Sequence, residues 1–491
     1  MKLCLINHGF RYELEKLVRI FFPFEKIEIS TSADSEDNYA LTELSETESG
    51  CFALARLKIL GKSLEKSLAV DLCATDYDKE CELKLAIALY ECFVEATGYT
   101  PGWGILTGVR PAKLFSRFSH EIGNEAAEQY FKNIFRVSDK KVSLCRATFA
   151  GEDKIISLSD KNSFSLYISI PFCPTRCSYC SFVSHSVEQA KKLIPAYVDL
   201  LCKELEETAK IARAFSLKLE TVYIGGGTPT AVSAEQLNKI MSAVATYFDL
   251  SGVREYTVEA GRPDTVTEEK LKVIKQNGAT RISINPQTMN DGVLQAIGRK
   301  HTAAQTTEAF NLARSLSFDN INMDLIAGLP TDTLESFSHT VGDVLALNPE
   351  SVTVHALSMK RSSTLNLKGD IPEAEIGEIA AQMVDFARDK LSEAGIVPYY
   401  MYRQSKTVGN LENVGYSKAG YECLYNVYIM DETHTILACG ASAVTKLREP
   451  DGDYIERIFN FKYPYEYINQ FDEILSRKSG VREFYSKYGK T

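Results

Sequence analysis

Three of the twelve cysteines lie close together in the chain, at Cys173, Cys177 and Cys180. They follow residues 165–170, a β-rich run that predicts a strand. Three thiolates on one loop can bind three irons of a four-iron–four-sulfur cluster and leave the fourth iron open. The amine and carboxylate of an amino acid can chelate that iron, and the cluster can then pass an electron to a bound sulfonium. The spacing therefore predicts an iron–sulfur site with one open coordination position.

A zinc site and buried structural cysteines are the two alternatives to the iron–sulfur site. A zinc site usually has four ligands, paired as CxxC or CxxH, whereas this loop offers three. The nearest following histidine, His185, lies five residues beyond Cys180. Small buried structural cysteines are the second alternative, and the nine remaining cysteines, which stand singly, fit that description. Three structural cysteines in one short loop are the less favoured of the two alternatives.

Two further predicted strands end in residues that suit a small polar ligand. Gly225, Gly226 and Gly227, followed by Thr228, end the strand predicted at 219–224. Glycine lets a ligand approach the backbone closely, although a triple glycine can also be only a turn. Glu259 ends the strand predicted at 256–260. Its carboxylate can bind an ammonium or ribose hydroxyls, or it can be a solvated charge.

Three more polar residues follow or end the later predicted strands. Gln287 follows the fourth strand, Arg299 lies twelve residues further on, and Asp324 lies near the end of the fifth. An aspartate within an apolar run needs a partner, because burying a lone charge is costly. From the residues alone, a structural Arg299–Asp324 ion pair is the simplest interpretation.

The elements that must position these residues repeat one theme, a β-rich run followed by a helical pattern. Ser233 with Gln236 fits a capping box at one helix start, and Asp332 with Glu335 resembles a second. Alternating strands and helices predict a parallel sheet with right-handed crossovers, whose ligands gather at the carboxyl ends of the strands. Six units predict a partial (β/α)6 barrel rather than a closed eight-fold one, with strands at 165–170, 219–224, 256–260, 281–285, 320–325 and 351–355.

The regions on either side of this barrel predict two further domains. Residues 1–160 form an N-terminal α/β domain of unknown role, with strands at 26–30 and 51–60, a helix at 81–96 and a polar linker at 151–163. The barrel spans 161–370. Residues 371–491 are a C-terminal α+β extension that opens with a helix at 374–394. Its tyrosine-rich segment 399–404 either covers a flat substrate as a lid or packs against the barrel.

The composition excludes several classes of protein. A formal net charge of −10 argues against a general nucleic-acid binder, because phosphate contacts need a basic surface. No apolar run approaches the roughly 18 residues of a membrane span, and the N-terminus lacks the apolar core of a signal peptide. We therefore expect no membrane span and a cytoplasmic location.

The cysteine motif, with Tyr179 directly before its last cysteine, resembles that of the radical S-adenosylmethionine (radical SAM) superfamily. Residues 167–173 resemble one branch, the oxygen-independent coproporphyrinogen III oxidases and their relatives, and the resemblance covers about residues 165–360. The N-terminal extension and the tail most resemble the HemZ subgroup. The resemblance implies a [4Fe-4S] cluster on the three cysteines and S-adenosyl-L-methionine bound by Tyr167, Tyr179, Gly226, Gly227, Thr228, Glu259, Gln287, Arg299 and Asp324.

The resemblance also implies a reaction. A radical SAM oxidoreductase of this type decarboxylates the propionates of coproporphyrinogen III to vinyl groups in haem biosynthesis, through a 5′-deoxyadenosyl radical. A flavodoxin or ferredoxin-type protein would supply the electron. Because the tetrapyrrole carries four carboxylates, a basic lining is expected, and the candidates are Arg262, Lys360, Arg361 and Arg403.

Departures from the oxidase pattern leave alternatives open. The oxidases typically carry a cysteine two residues after the third ligand and a histidine two residues after the strand tyrosine. This chain has Phe182 and Ser169 there, which leaves the tetrapyrrole substrate open. The cysteine position is associated with a second S-adenosylmethionine, so one or two of these molecules are expected. The runner-up is a haem-binding chaperone, whose His-Asn-x-x-Tyr motif corresponds to residues 425–428, which lack the histidine. His355 and His434 are alternative haem ligands, and another radical reaction on a tetrapyrrole, such as ring opening, is a third hypothesis.

Overall fold

The computed structural model describes residues 1–23, 25–32, 38–48, 50–180, 184–358, 373–404 and 406–489. These residues form two compact units, Met1–Ala147 and Thr148–Thr491. Across the described ranges, we find no helix with the length and apolar character that a membrane crossing requires.

The first unit is built on a mixed sheet. Strands β1, β2 and β3 are parallel, whereas β3, β4 and β5 are antiparallel, in the order β2-β1-β3-β4-β5. The strands are β1 (Lys2–Ile6), β2 (Glu28–Ser30), β3 (Tyr39–Thr47), β4 (Gly50–Ile59) and β5 (Lys62–Ala69). The helices are α1 (Arg11–Phe21), α2 (Tyr77–Thr97), α3 (Pro111–Ile122), α4 (Asn124–Asn133) and α5 (Asp139–Ile156), of which α5 continues into the second unit.

Helix α2 covers the sheet of the first unit. Asp76 caps its first turn by accepting a hydrogen bond from the Lys79 backbone, and Gly98 ends it in the left-handed region. Leu85 and Phe93 on its inner face are fully buried in one apolar core with strand residues of β4. The strands predicted at 26–30 and 51–60 and the helix predicted at 81–96 are all present, each with ends shifted by a few residues.

The second unit carries the predicted barrel. Its strands are β6 (Ser163–Ile170), β7 (Phe172–Cys173), β8 (His185–Ser186), β9 (Lys218–Gly226), β10 (Glu255–Glu259), β11 (Arg281–Ser283), β12 (Ile321–Ala327), β13 (Ser351–Ala356), β14 (Val397–Arg403), β15 (Glu412–Ser417), β16 (Thr435–Cys439), β17 (Val444–Arg448) and β18 (Ile455–Phe459). Its helices are α6 (Val187–Ala190), α7 (Ile194–Ala214), α8 (Ala234–Tyr247), α9 (Glu268–Gln276), α10 (Asp291–Ala296), α11 (Ala303–Ser315), α12 (Leu334–Leu347), α13 (Glu373–Glu393), α14 (Leu424–Asp431), α15 (Pro464–Asn469), α16 (Phe471–Arg477) and α17 (Ser479–Tyr488).

One sheet joins the barrel strands to the C-terminal strands. In the part of the chain that the structure describes, its order is β14-β15-β13-β12-β11-β10-β9-β6-β16-β17-β18. The six central strands, β6 and β9 to β13, are parallel neighbours, which confirms the partial (β/α)6 barrel. Strand β16 adds in parallel beside β6, and β15 adds antiparallel beside β13. The C-terminal extension therefore adds strands to both edges of the barrel sheet.

The tyrosine-rich segment predicted at 399–404 lies mostly in strand β14. Tyr399 and Tyr400 are buried in an apolar core with Tyr223 and Tyr425. This placement favours packing against the barrel over a mobile lid.

Two local predictions need correction. The capping box of Ser233 and Gln236 forms as predicted, but the second helix is capped by Thr333, one residue after Asp332. The segment predicted as a linker at 151–163 is helical up to Ile156. The polar residues of this segment gave no helical pattern of apolar residues in the sequence. In the structure, its last turn is held by Ile155, which is buried in the core that contains Tyr399.

Helix α14 closes the amino-terminal end of the barrel. Glu255, the first residue of β10, accepts hydrogen bonds from the Leu424 and Tyr425 backbone N–H groups at 2.8 Å and 3.3 Å. A carboxylate at a helix N-terminus satisfies N–H groups that have no partner within the helix. The Tyr425 ring stacks on Tyr223 at 4.4 Å and on Tyr167 at 6.0 Å, so aromatic rings fill the barrel interior above this helix.

A buried carboxylate ties helix α7 to the C-terminal elements. Glu204 is fully buried and lies 3.0 Å from the ammonium of Lys478, which is also buried. It also accepts hydrogen bonds from the Gly440 backbone at 2.7 Å and from the Tyr467 hydroxyl at 2.6 Å. Removing one partner of such a pair leaves a buried charge without compensation.

We predict that Glu204→Ala lowers the free energy of unfolding of the second unit by about 3–5 kcal/mol, because Lys478 loses its counter-ion. Glu207→Ala is the matched control on the same helix, since Glu207 forms a partly exposed ion pair with Lys210. It should cost less than about 1 kcal/mol. Urea denaturation checks both variants, and equal losses would contradict the role of the buried pair.

Candidate active site

The cysteine loop begins where strand β6 ends. Pro171 follows β6, and β7 then pairs in parallel with β8, so that Cys173 lies opposite Ser186. Cys173 and Cys177 are buried, and Cys180 is half-buried. The far side of the loop is fixed by the Ser178 backbone N–H, which donates to the Ile297 carbonyl at 3.1 Å. The loop therefore lies at the carboxyl end of the first barrel strand.

The triple glycine at the end of β9 packs directly against this loop. The Gly227 N–H donates to the Ile170 carbonyl, and the Thr228 N–H donates to the Phe172 carbonyl, both at 2.8 Å. A Cβ atom on Gly227 would lie 2.7 Å from the Phe172 carbonyl oxygen and 2.9 Å from the Cys173 sulfur. The close approach of the two segments therefore requires glycine at this position.

Side-chain donors from several elements reach the sulfurs of Cys173 and Cys177. The Thr228 hydroxyl lies 3.5 Å from the Cys173 sulfur. Nη1 of Arg262 lies 3.4 Å from the Cys177 sulfur. Arg262, predicted to bind substrate, is instead buried against the cysteine loop.

The surroundings of the three cysteines fit a [4Fe-4S] cluster. Burial raises the pKa of the Cys173 thiol, and hydrogen bonds from Ser184 and Thr228 partly offset that effect. Donors aimed at thiolate sulfur are what an iron-bound thiolate needs, since such hydrogen bonds stabilise its charge. Among the described residues, no three His, Cys, Asp or Glu side chains converge tightly enough to hold a single metal ion. Thiolates of a cubane bind different irons and need not converge on one point.

Glu259 lies at the end of β10, beside the glycine turn. Its carboxylate accepts a hydrogen bond from the Tyr223 hydroxyl at 2.6 Å. Desolvation raises the pKa of Glu259 to about 7; the hydrogen bond from Tyr223 lowers it, and the charge of Asp324 raises it. A Cβ atom on Gly225 would lie 3.1 Å from this carboxylate, so the turn and the acid share one small space. An ammonium bound here would hold the carboxylate in its charged form.

Gln287 and Asp324 lie on neighbouring strand ends. Gln287 has a left-handed backbone, with φ of 68°, and its N–H donates to the Asp324 carbonyl at 2.9 Å. The Asp324 carboxylate accepts from the Asn322 amide at 2.7 Å and lies 3.9 Å from Nε2 of His355. The strained backbone of Gln287 places it beside the mouth of the barrel, where such strain is common in functional sites.

Arg299 contacts the cysteine loop rather than Asp324. Its Nε donates to the Tyr179 hydroxyl at 3.2 Å, and its Nη1 donates to the Asn285 carbonyl at 2.8 Å. The structural Arg299–Asp324 ion pair, which was the simplest interpretation from the residues alone, does not form, because each residue has other partners. The Tyr179 ring packs against an apolar group that includes Ile297. Arg299 thus links helix α10 and the end of β11 to the last turn of the cysteine loop.

The structure describes some of the remaining predicted residues and not others. Tyr167 stacks on Tyr223 at 6.2 Å inside the barrel. Arg403 is buried at the end of β14. Lys360, Arg361 and Phe182 lie outside the described residues. The roles predicted for all these residues stay predictions, and the structure supplies the surroundings of those that it describes.

Several neighbours of the site were not singled out from the sequence. Tyr223, Tyr425 and Asn322 each contact a predicted site residue or stack inside the barrel. The period-two alternation gave a signal for two of them, because Tyr223 lies two residues before Gly225 and Asn322 lies two before Asp324. Tyr425 was named only within the stretch that corresponds to the chaperone motif, and nothing in the sequence indicated its stacking inside the barrel, since its helix comes from the distant C-terminal region.

We predict that Gly227→Ala impairs cluster assembly, because the new methyl group overlaps a backbone carbonyl and a cysteine sulfur. Overpacking of this kind costs about 1–3 kcal/mol. Gly342→Ala is the control, since Gly342 lies within helix α12 with open space around its Cα. It should gain about 0.5–1 kcal/mol. Iron analysis after anaerobic reconstitution should show most iron lost in the first variant only; full iron content there would contradict the packing argument.

The raised pKa of Glu259 predicts a pH-dependent stability of the protein without bound ligands. Protonated Glu259 is favoured in the folded state, so its contribution is complete below its ordinary pKa of about 4.5 and is lost as the pH rises through about 7. Glu259→Gln should remove up to about 3 kcal/mol of this loss. The exposed Glu235→Gln is the control. Urea midpoints measured across this range check it, and parallel pH profiles for Glu259→Gln and wild type would count against it.

Comparison with known proteins agrees with this geometry. The profile of the Radical SAM superfamily matches residues 167–344. The oxygen-independent coproporphyrinogen-III oxidase-like protein HemZ of Bacillus subtilis is 34% identical over 95% of this chain and 94% of its own length. The heme chaperone HemW of the same organism is 31% identical over 67% of this chain and 87% of its own.

The fold likeness extends to a solved structure. Coproporphyrinogen III oxidase (HemN) from Escherichia coli, described as a radical SAM enzyme, matches with a TM-score of 0.50 and 21% identity. The match covers 66% of this chain and 72% of that protein, and at this identity it supports the fold alone. The chain thus belongs to the radical SAM superfamily and, within it, to the oxygen-independent coproporphyrinogen-III oxidase-like proteins of the HemZ type.

Proposed function

We propose that this protein decarboxylates the propionate side chains of coproporphyrinogen III to vinyl groups without oxygen, forming protoporphyrinogen IX. The observation that carries the proposal is the cysteine loop at the carboxyl end of a partial barrel, beside two acidic strand ends at Glu259 and Asp324. The likeness to HemZ along 95% of the chain supports the substrate class.

Membership of the superfamily implies a [4Fe-4S] cluster and S-adenosyl-L-methionine. When bound, this pair supplies a 5′-deoxyadenosyl radical that can take a hydrogen atom from a propionate. Cys173, Cys177 and Cys180 would hold three of the irons. Glu259 and Asp324 would accept hydrogen bonds from the ammonium or the ribose hydroxyls, and the exposed carbonyls of the glycine turn would assist.

The balance of atoms and electrons in the reaction shows which electron donor and acceptor it needs. Each propionate loses one hydrogen atom, one molecule of carbon dioxide and one electron. A flavodoxin or ferredoxin-type donor would supply the electron that starts each cycle, and a one-electron acceptor must take up the electron released. Arg403, Lys360 and Arg361 remain the candidates for binding the substrate carboxylates.

The barrel interior can shield this chemistry from water. Helix α14 covers the amino-terminal end, and the rings of Tyr167, Tyr223 and Tyr425 stack above it. Packed aromatic side chains therefore occupy the barrel interior on the side of helix α14. Excluding water protects a reactive radical from side reactions.

Haem binding is the second candidate function, supported by the likeness to HemW. The histidines of this chain favour it less. His434 is buried, stacks on Tyr428 at 3.6 Å, and has its ring nitrogens bonded to Ser165 and Ser159. The stretch that corresponds to the chaperone motif lies in helix α14, where Tyr425 and Tyr428 are buried. Of the two candidate ligands, only His355 is partly exposed, at 28% of its side chain.

An anaerobic assay separates these functions. Reconstituted protein is incubated with coproporphyrinogen III, S-adenosylmethionine and dithionite, and 5′-deoxyadenosine and vinyl-bearing tetrapyrroles are quantified separately. We expect both products, their loss in Cys177→Ser, and full activity in the control Cys73→Ser, since Cys73 is exposed and lies in the other unit.

Three outcomes would contradict the proposal. Deoxyadenosine without a vinyl product would assign the radical chemistry to another substrate. Neither product, together with haem retention that His355→Ala abolishes, would favour the chaperone. Equal activity of Cys177→Ser and wild type would remove the cysteine loop from the reaction.

A further inference from the structure

Arg262 follows directly on strand β10 and is only 3% exposed. Its Nε and Nη2 form a two-pronged ion pair with the Asp264 carboxylate, at 2.9 Å and 3.0 Å. A planar guanidinium held in this way has a fixed orientation. The turn after β10 therefore holds the buried guanidinium of Arg262 in one fixed orientation.

In this orientation the guanidinium of Arg262 points toward the cysteine loop. The remaining contacts of the guanidinium go to the Thr175 hydroxyl at 3.2 Å, the Thr175 carbonyl at 3.5 Å and the Cys177 sulfur at 3.4 Å. A guanidinium has five N–H donors, and these contacts together with Asp264 engage all of them. Arg262 is thus committed to the protein itself and not to a substrate carboxylate.

The two contacted cysteines differ in the kind of donor that they receive. Cys173 receives the neutral hydroxyls of Thr228 and Ser184, whereas Cys177 receives charged N–H groups, from Arg262 at 3.4 Å and from Arg299. Charge-assisted hydrogen bonds are roughly twice as strong as neutral ones, and a buried location weakens solvent screening. Hydrogen bonds to sulfur and local charge are among the factors that set the reduction potential of an iron–sulfur cluster.

We propose that Arg262 is a positioning residue that acts through Cys177, fixing the cysteine loop and raising the reduction potential of the cluster bound there. A cation near the cluster stabilises the reduced state, which carries one more negative charge. The residue would make the cluster easier to reduce by a biological donor. This inference rests on the proposed function only for the presence of the cluster and is independent of the tetrapyrrole substrate.

The experiment compares three variants in the full-length reconstituted protein. Arg262→Met removes the charge and the hydrogen bonds. Arg262→Lys keeps the charge but cannot form the two-pronged ion pair with Asp264. Arg254→Met is the matched control, since Arg254 lies just before the same strand and pairs with Glu220 at 3.1 Å at its opposite end. Iron content and the midpoint potential, followed by electron paramagnetic resonance without S-adenosylmethionine or substrate, are the two readouts.

We expect Arg262→Met to lower the ratio of reduced to oxidised cluster at a fixed potential by tenfold or more, which is a shift of at least ~59 mV for one electron. Arg262→Lys should fall between Arg262→Met and wild type, and Arg254→Met should match wild type. An unchanged midpoint in loaded Arg262→Met, whatever its iron content, would reduce Arg262 to a structural residue.

If Arg262→Met fails to load iron, Arg262→Gln, which also removes the charge but can still donate a hydrogen bond, decides the question, and a midpoint equal to that of wild type overturns the proposal. Failure of the two proposals can be told apart. Absence of turnover with coproporphyrinogen III leaves the potential measurement intact, whereas absence of a cluster in wild type removes both.

Discussion

The contact between the glycine turn and the cysteine loop is the constraint on which the rest of the site depends. Two backbone hydrogen bonds of 2.8 Å join the end of β9 to the residues just before and within the loop. At Gly227 there is no room for a side chain. Because β6 and β9 are neighbouring parallel strands, this contact fixes Cys173 at the carboxyl end of the barrel. The strand ends that carry Glu259 and Asp324 lie at the same edge, because they belong to the same parallel sheet.

The charged residues on and just after strand β10 have different structural roles. Glu255 begins the strand and accepts hydrogen bonds from the first turn of helix α14, whereas Glu259, at the other end of the same strand, lies beside the glycine turn. Arg262, just beyond it, is held in orientation by an ion pair with Asp264 and directs its other edge at Cys177. Strand β10 thus positions Glu255, which binds helix α14 at one end of the barrel, and Glu259 and Arg262, which lie near the cysteine loop at the other end.

Much of this architecture could be predicted from the sequence, because β-rich runs alternating with helical patterns leave a local signal. The six barrel strands and the cysteine loop are examples. The pairing of β16 beside β6 left no such signal, since it joins segments far apart in the chain. Likewise, the direction of a long side chain is set by tertiary contacts, so Arg262 was expected at the substrate and lies against Cys177 instead. The polar helix end before Ile156 was hidden because one buried isoleucine is too little pattern to recognise.

The central claim is that three thiolates at the carboxyl end of this barrel hold a cubane with one open iron. Mössbauer spectroscopy of anaerobically reconstituted, iron-57-labelled protein, recorded with and without S-adenosylmethionine, tests it most directly. We expect about four irons per chain in one [4Fe-4S] cluster, with one iron site whose spectrum changes when the cofactor is added. A spectrum of mononuclear iron, or a cluster that the cofactor leaves unchanged, would contradict it.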